Sequence, residues 1–313
     1  MRMARLFVGV TDYNWYRRLT QVADLDEANF WQPSGGRGFA ALSAGEIFLF
    51  KLHAPYNAIV GGGFFARHTT LPLHLAWEFF ERKNGADTEE EMTARVALYV
   101  ESLKTASPLQ RSAHPIGCVL LEQPFFFPEE IWIPQPADWA PNIVQGKGYD
   151  LSEATGQQLM NAVQERLAGE PATLAEEATG RYGTPSLVRH RLGQGSFRAA
   201  VTDAYGRQCA VTGDRVLYVL DAAHIRPFAQ GGEHSVNNGL LLRSDIHTLF
   251  DRGYVAIDPE HRVHVSRRLR EEFDNGKEYY ALEGRTILLP TAPGDRPDGD
   301  LLAWHRKEIF NAA

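Results

Sequence analysis

Five side chains between Leu220 and Asp258 combine types and spacing that could do hydrolytic chemistry: Asp221, His224, Asn238, His247 and Asp251. An imidazole titrates near neutrality, so it can take a proton from water. A hard divalent ion can neutralise charge on a phosphate and act as a template for attack. His247 and Asp251 stand four residues apart, so on a helix they share one face and can bind one ion together. A base for water beside a bound cation is what phosphodiester hydrolysis needs. The competing reading of any one of these residues is a buried polar group in an ordinary α+β domain.

The elements that must position them are legible around them. An apolar, β-prone run, Val216 to Leu220, leads into Asp221 and His224. A Gly-rich loop, Gln230 to His234, is followed by Asn237-Asn238-Gly239, a short apolar segment, and a helix carrying His247 and Asp251. A short strand, Tyr254 to Ile257, closes the unit. His, Asn and His in the order strand, loop, strand, helix, within DAAHIRP, NNGLLL and HTLFDRG, resemble the ββα-metal core of HNH endonucleases. The longer run RLGQGSFR, AYGRQCAVTG and LDAAHIRPF is similar to the HNH domains of bacterial restriction-type endonucleases, over about residues 185–313. The resemblance implies that His224 is the general base, that Asn238 holds the loop positioning it, and that His247 is a metal ligand with Asp251 as a second. Mg²⁺ or Mn²⁺ suits such an open oxygen and nitrogen site. One departure stands out: many HNH enzymes carry a His or Asp ligand directly before the general base, and here that position is Ala223. Asp221 would lie on the same side of a strand as position 223 and could supply the missing carboxylate.

With 313 residues, two domains are the natural expectation. The 44% hydrophobic share is ordinary and supplies a sizeable core. The sequence holds no apolar run long enough to span a membrane, and its start reads as a β-strand instead of a signal peptide, so a cytoplasmic protein is expected. Cys118 and Cys209, the 2 cysteines, cannot build an all-cysteine zinc site and are expected to be small buried residues. The net charge of −7 argues mildly against indiscriminate DNA binding. Its distribution is uneven, −8 over residues 1–180 and +1 over 181–313. The second half therefore has the better balance for a phosphate backbone, with Arg189, Arg191, Arg198, Arg207 and Arg226 as candidates for a basic face.

The first half reads as strands interrupted by helices: strands at Arg5–Val10, Glu46–Leu52, Asn57–Phe65 and Ile116–Leu121, helices at Leu73–Phe80 and Glu89–Thr105. The order GEIFLFKL, turn, IVGGGFF resembles the PUA-like superfamily of small β-barrels, which includes EVE, YTH and SRA domains. Several of its members bind a modified nucleobase in an aromatic pocket. A flipped base needs flat apolar walls and a few polar groups to read its edge. Trp15, Trp31, Phe64 and Phe65 are candidate walls, and Asn29 and Gln32 candidate readers; core packing is the competing role of each aromatic. Gly61-Gly62-Gly63 would allow close approach of a backbone or ligand.

The expected protein is therefore α+β, with a PUA-like β-barrel with helices at 1–165, a linker at 166–184 and an HNH endonuclease domain at 185–313. The resemblance implies a metal-dependent DNA endonuclease of restriction type that the first domain directs to methylated or hydroxymethylated cytosine. Its partner would be double-stranded DNA, and a double-strand break from single centres implies a homodimer or sequential nicks. The alternatives are a binding or regulatory protein with an inactive core, and a nuclease acting on RNA.

Overall fold

The computed structural model describes residues 4–35, 38–168 and 193–311. The chain divides into two compact units, Met1–His190 and Arg191–Ala313. The expected linker at 166–184 begins inside the helix Ala154–Ala168 and otherwise lies outside the described residues.

The first unit is built on one sheet. Its strands are β1 (Arg5–Thr11), β2 (Glu27–Gln32), β3 (Ile47–Leu52), β4 (Ala58–Pro72), β5 (Pro115–Phe126), β6 (Ile133–Pro134) and β7 (Gly146–Asp150). Their order is β2-β5-β4-β3-β1-β7, with β6 pairing to β4. Among the described residues, only the β1–β3 pairing of this sheet is parallel. Among the described residues β2 and β7 end the path without pairing to each other, so the sheet is open where a barrel was expected.

Both faces of this sheet are covered. Leu6, Val8, Ile47, Leu49 and Phe64 meet the helix Ala154–Ala168 through Leu159, Met160, Val163 and Leu167. Phe48, Phe50, Leu52 and Phe65 pack on the opposite side with Trp15, Leu19 and Phe30. Alternation along β3 and β4 produces this division, because successive side chains point to opposite faces. The glycines of β4 serve a close backbone approach: a Cβ on Gly62 would sit 2.7 Å from the Phe48 carbonyl oxygen and 2.8 Å from the Phe125 ring. Cys118 is fully buried in β5, and its burial pushes the thiol up to about 12.

Local chemistry sets the helix starts. Asp12 caps Tyr13–Leu19 by accepting from the Trp15 amide at 2.9 Å, and Thr88 caps Glu89–Tyr99, whose first turn is acidic. The single helix expected over Glu89–Thr105 is broken at Val100, which adopts an extended conformation, and a short turn, Glu101–Lys104, follows.

The second unit pairs β8 (Leu220–His224) antiparallel with β9 (Gly239–Arg243), and β10 (Val255–Ile257) with β11 (Val263–Val265). Its core gathers Phe197, Val201, Cys209, Leu240, Leu241, Leu242, Ile246 and Phe250. The β-prone run Val216–Leu220 is a 3₁₀ turn over Leu217–Val219 before the strand begins. Thr286–Leu289, a β-prone run by residue type, does not form a strand. It makes one bridge, Arg262 to Thr286, and the Leu288 amide turns to the Ala210 carbonyl at 2.7 Å. The last helix starts at Gly299, because Asp298 caps it. No helix among the described residues is long and apolar enough to cross a membrane.

Candidate active site

The β8–β9 hairpin sets one wall of the site. Register places Asp221 opposite Leu242 and His224 opposite Gly239. Leu240, Leu241 and Leu242 are all fully buried and anchor the hairpin. Leu220 and Ala223 also turn into the core, whereas Asp221, Ala222 and His224 line a cavity of about 660 Å³. Position 223 thus faces inward and Asp221 does not share its side, contrary to strict strand alternation. Two-stranded ribbons twist strongly, and over five residues that twist rotates the faces.

The helix Ser244–Asp251 sets the second wall. Ile246 and Phe250 enter the core, and His247 and Asp251 turn together to the cavity. His247 Nδ1 lies 3.4 Å from Asp221 Oδ2, and its Nε2 lies 3.3 Å from Asp251 Oδ2. Burial pulls the His247 pKa down, but Asp251 and Asp221 outweigh it, and the net shift is upward. Asp221 therefore reaches the helix histidine by a different route from the one its strand position suggested.

The connecting loop is held by Asn238, which is 1% exposed. Its side-chain amide donates to the carbonyls of Arg226 and Glu233 at 3.0 and 2.8 Å, and its Oδ1 accepts from the Arg226 amide at 2.9 Å. The Ile225 amide donates to the Asn238 carbonyl at 2.9 Å. These bonds fix the chain immediately after His224. The loop is so tight that a Cβ on Gly232 would lie 1.9 Å from the Arg226 carbonyl oxygen.

The His224 ring stacks on Phe197 with centroids 4.0 Å apart, and its Nε2 lies 2.9 Å from His234 Nδ1. Burial, reinforced by His234 and His247, lowers its pKa to about 4, so the ring is neutral at pH 7. A neutral imidazole at the cavity wall can accept a proton. His234 and Phe197 carried no sequence signal for these contacts, because both arise from chain brought together only by folding.

Of the arginines, Arg198 lines the cavity. Arg226 is committed to the loop: its Nε donates to the Gln230 carbonyl at 2.7 Å, and its guanidinium lies 5.1 Å from the Trp304 ring centroid. Arg191 and Arg189 lie outside the described residues. His305 is buried and contributes to the lining of the same cavity; it stacks on Phe250 at 3.6 Å and donates from Nε2 to the Phe250 carbonyl at 3.1 Å.

The donor set can be tested for a metal. Among the described residues, no group of three His, Cys, Asp or Glu side chains forms a ready-made metal cluster. The His247 ring presents a different nitrogen to each carboxylate. The cavity can therefore give one ion an imidazole nitrogen and a carboxylate, with solvent and phosphate oxygens completing the shell, as a hard cation that keeps several waters requires.

The first unit has its own cleft, of about 530 Å³, lined in part by Trp15, Trp31 and Gln32 together with Phe30, His53 and Tyr99. The other three base-pocket candidates lie elsewhere. Asn29 is fully buried, donating to Asn84 Oδ1 at 2.9 Å and to Cys118 Sγ at 3.4 Å. Phe64 and Phe65 are core residues on opposite faces of the sheet. Trp31 is held at the cleft by its indole N–H to the Asn84 carbonyl, 3.1 Å, with the Arg95 guanidinium 5.6 Å from its ring centroid.

Comparison with known proteins adds to this geometry. The family model for HNH endonuclease matches residues 209–258, so the chain carries an HNH endonuclease domain there and is a nuclease by class. A search of curated proteins finds no match. Among solved structures, ASCH from Zymomonas mobilis aligns with TM-score 0.31 and 11% identity, covering 50% of this chain and 94% of its own. A modification-dependent restriction endonuclease, TagI, aligns with TM-score 0.27 and 15% identity, covering 85% of this chain and 62% of its own.

Proposed function

We propose that the protein is a metal-dependent DNA endonuclease of restriction type, with hydrolysis in the second unit and substrate selection in the first. The observation that carries this is the convergence of His224, Asp221, His247 and Asp251 on one cavity within the HNH stretch. His224 is the general base and takes the proton of the attacking water. Asn238 holds the loop that sets its position, and Arg198 faces the incoming phosphate backbone. His247 with Asp251, or with Asp221 on the other ring nitrogen, would hold Mg²⁺ or Mn²⁺. Such an ion supplies charge neutralisation on the phosphate and leaving oxygen.

The first unit is a PUA-like reader whose cleft, with Trp31 as its stacking wall, Gln32 at its edge and the buried Trp15 behind them, takes a flipped modified cytosine. A stacked base there would be read at one polar edge. One HNH centre cuts one strand, so a double-strand break would come from a homodimer or from two successive nicks.

The test is cleavage of plasmid DNA with and without EDTA, beside an RNA of equal length, using DNA with plain, methylated and hydroxymethylated cytosine. Metal-dependent cutting of DNA is expected, lost by orders of magnitude in His224→Ala with folding retained, as removal of a general base predicts. Near-wild-type cutting by a folded His224→Ala would refute the assignment. Asp221→Asn and Asp251→Asn, compared in metal titrations, tell which carboxylate shares the ion with His247.

A further inference from the structure

His234 has no part in the reading above, yet it is hydrogen-bonded to the ring of His224, Nδ1 to Nε2 at 2.9 Å. The two rings cross at 63° with centroids 4.9 Å apart. Each is backed by a phenylalanine: Phe197 lies on His224 at 4.0 Å and 12°, and Phe228 lies on His234 at 4.9 Å and 9°. Both ring planes are thus set by stacking before any substrate arrives. The backbone that carries His234 is set too, because the Glu233 carbonyl accepts from Asn238 at 2.8 Å. Asn238 therefore fixes the two ends of the pair, the chain after His224 and the chain before His234.

Only one proton can lie between two imidazole nitrogens, so one ring donates and the other accepts. A histidine that acts as a base needs its second nitrogen to hold a proton and to be oriented by an acceptor, the arrangement that catalytic triads generalise. We propose that His234 is a positioning residue for hydrolysis: its Nδ1 accepts the Nε2–H of His224 and so leaves Nδ1 of His224 as the basic nitrogen. This rests on His224 being the general base. In the step it serves, a water proton passes to His224 Nδ1 while the hydroxyl oxygen bonds to phosphorus. The bond from phosphorus to the sugar oxygen breaks, and that oxygen takes a proton from solvent. His234 keeps its own protons throughout, and its hydrogen bond strengthens as His224 becomes cationic.

The experiment compares two substitutions in the full chain. In His234→Asn the side-chain oxygen stands as many bonds from Cα as Nδ1 does, so the acceptor is retained while the ring is lost. In His234→Phe the stack on Phe228 is retained while the acceptor is lost. Two readouts are taken: kcat and KM for nicking, and the His224 tautomer from ¹⁵N–¹H correlation of its imidazole. The wild type and His234→Asn should hold His224 as the Nε2–H tautomer. His234→Phe should lose that preference and drop kcat by about tenfold to a hundredfold, the scale on which partners orienting a functional histidine act, with KM little changed. A wild-type His224 protonated on Nδ1, a His234→Phe enzyme with unchanged kcat, or equal loss in both variants would overturn the proposal. If the wild type cuts no nucleic acid, the nuclease reading fails, and the tautomer measurement still decides whether His234 sets the proton on His224.

Discussion

Replacing Asn238 by alanine should loosen the second unit more than the loss of one side chain on a loop would suggest. The substitution strands three backbone groups at once: the carbonyls of Arg226 and Glu233 and the amide of Arg226, now bonded at 3.0, 2.8 and 2.9 Å. A buried group left without its partner costs about 1–3 kcal/mol, and an ordinary hydrogen bond nets about 1 kcal/mol. Arg226 and Glu233 are only half-buried, so water can recover part of the loss. The expected cost is therefore about 3 kcal/mol. In a unit of this size that lowers the unfolding midpoint by about 10–20 °C. Asn238→Asp should cost more, because it replaces a double donor with a carboxylate facing two carbonyl oxygens. The assay is urea or thermal unfolding of the full chain, followed by hydrogen exchange at the Arg226 and Ile225 amides. A change below about 0.5 kcal/mol in Asn238→Ala, the range of ordinary surface substitutions, would show that the three bonds do not hold the loop.

Three further outcomes follow from the same structure. Gly232→Ala should displace the loop and reduce cleavage while leaving the first unit intact, since its Cβ would meet a main-chain oxygen at 1.9 Å; full activity would show that the loop yields freely. His305 has its pKa lowered from 6.5 to about 4, chiefly by burial, so it is neutral in the fold and the unfolded chain binds the proton first. Its contribution, about 3 kcal/mol, is complete above pH about 6.5 and is lost as pH falls towards about 4. His305→Phe, which can keep the stack on Phe250, should flatten that slope in unfolding curves taken between pH 4 and 7, and an unchanged slope would remove His305 as its source. Trp31→Ala should weaken binding of a modified duplex by about 1–3 kcal/mol and of plain DNA by less, measured at one fixed salt concentration; equal losses on both would count against a base-reading role.

The HNH stretch was legible because its signals are local. His247 and Asp251 share a face by helical spacing alone, and Leu240–Leu242 before them read as a buried strand. Asp221 was harder, since a twisted five-residue ribbon does not keep strict alternation, and Ala223 turned out to face the core. His234 was illegible: nothing in the period or composition of residues 225–238 says that the loop folds back on the first strand. In the first unit the limit was different. All six residues of β3 are buried, because both faces of the sheet are covered. Aromatic side chains suited to stacking, such as Phe64 and Phe65, are then equally suited to either core, and their residue type could not tell a cleft wall from packing. Trp31 and Gln32, the last two residues of β2, are paired with Cys118 and Gly117 and yet line the cleft, a placement that nothing in their residue types marks.

The placement of the two thiols has a practical consequence. Each unit holds one of the 2 cysteines, Cys118 in the first and Cys209 in the second, and both are free and buried. Neither can meet an alkylating reagent until its own surroundings open. Burial also holds the Cys118 thiol up near 12, so it becomes reactive only when that burial is lost. A single chain exposed to iodoacetamide therefore keeps two clocks, one per unit, read separately by peptide mass. Adding DNA or a divalent ion and recording which clock slows would locate where each binds, without a fluorophore, a truncation or any cleavage at all.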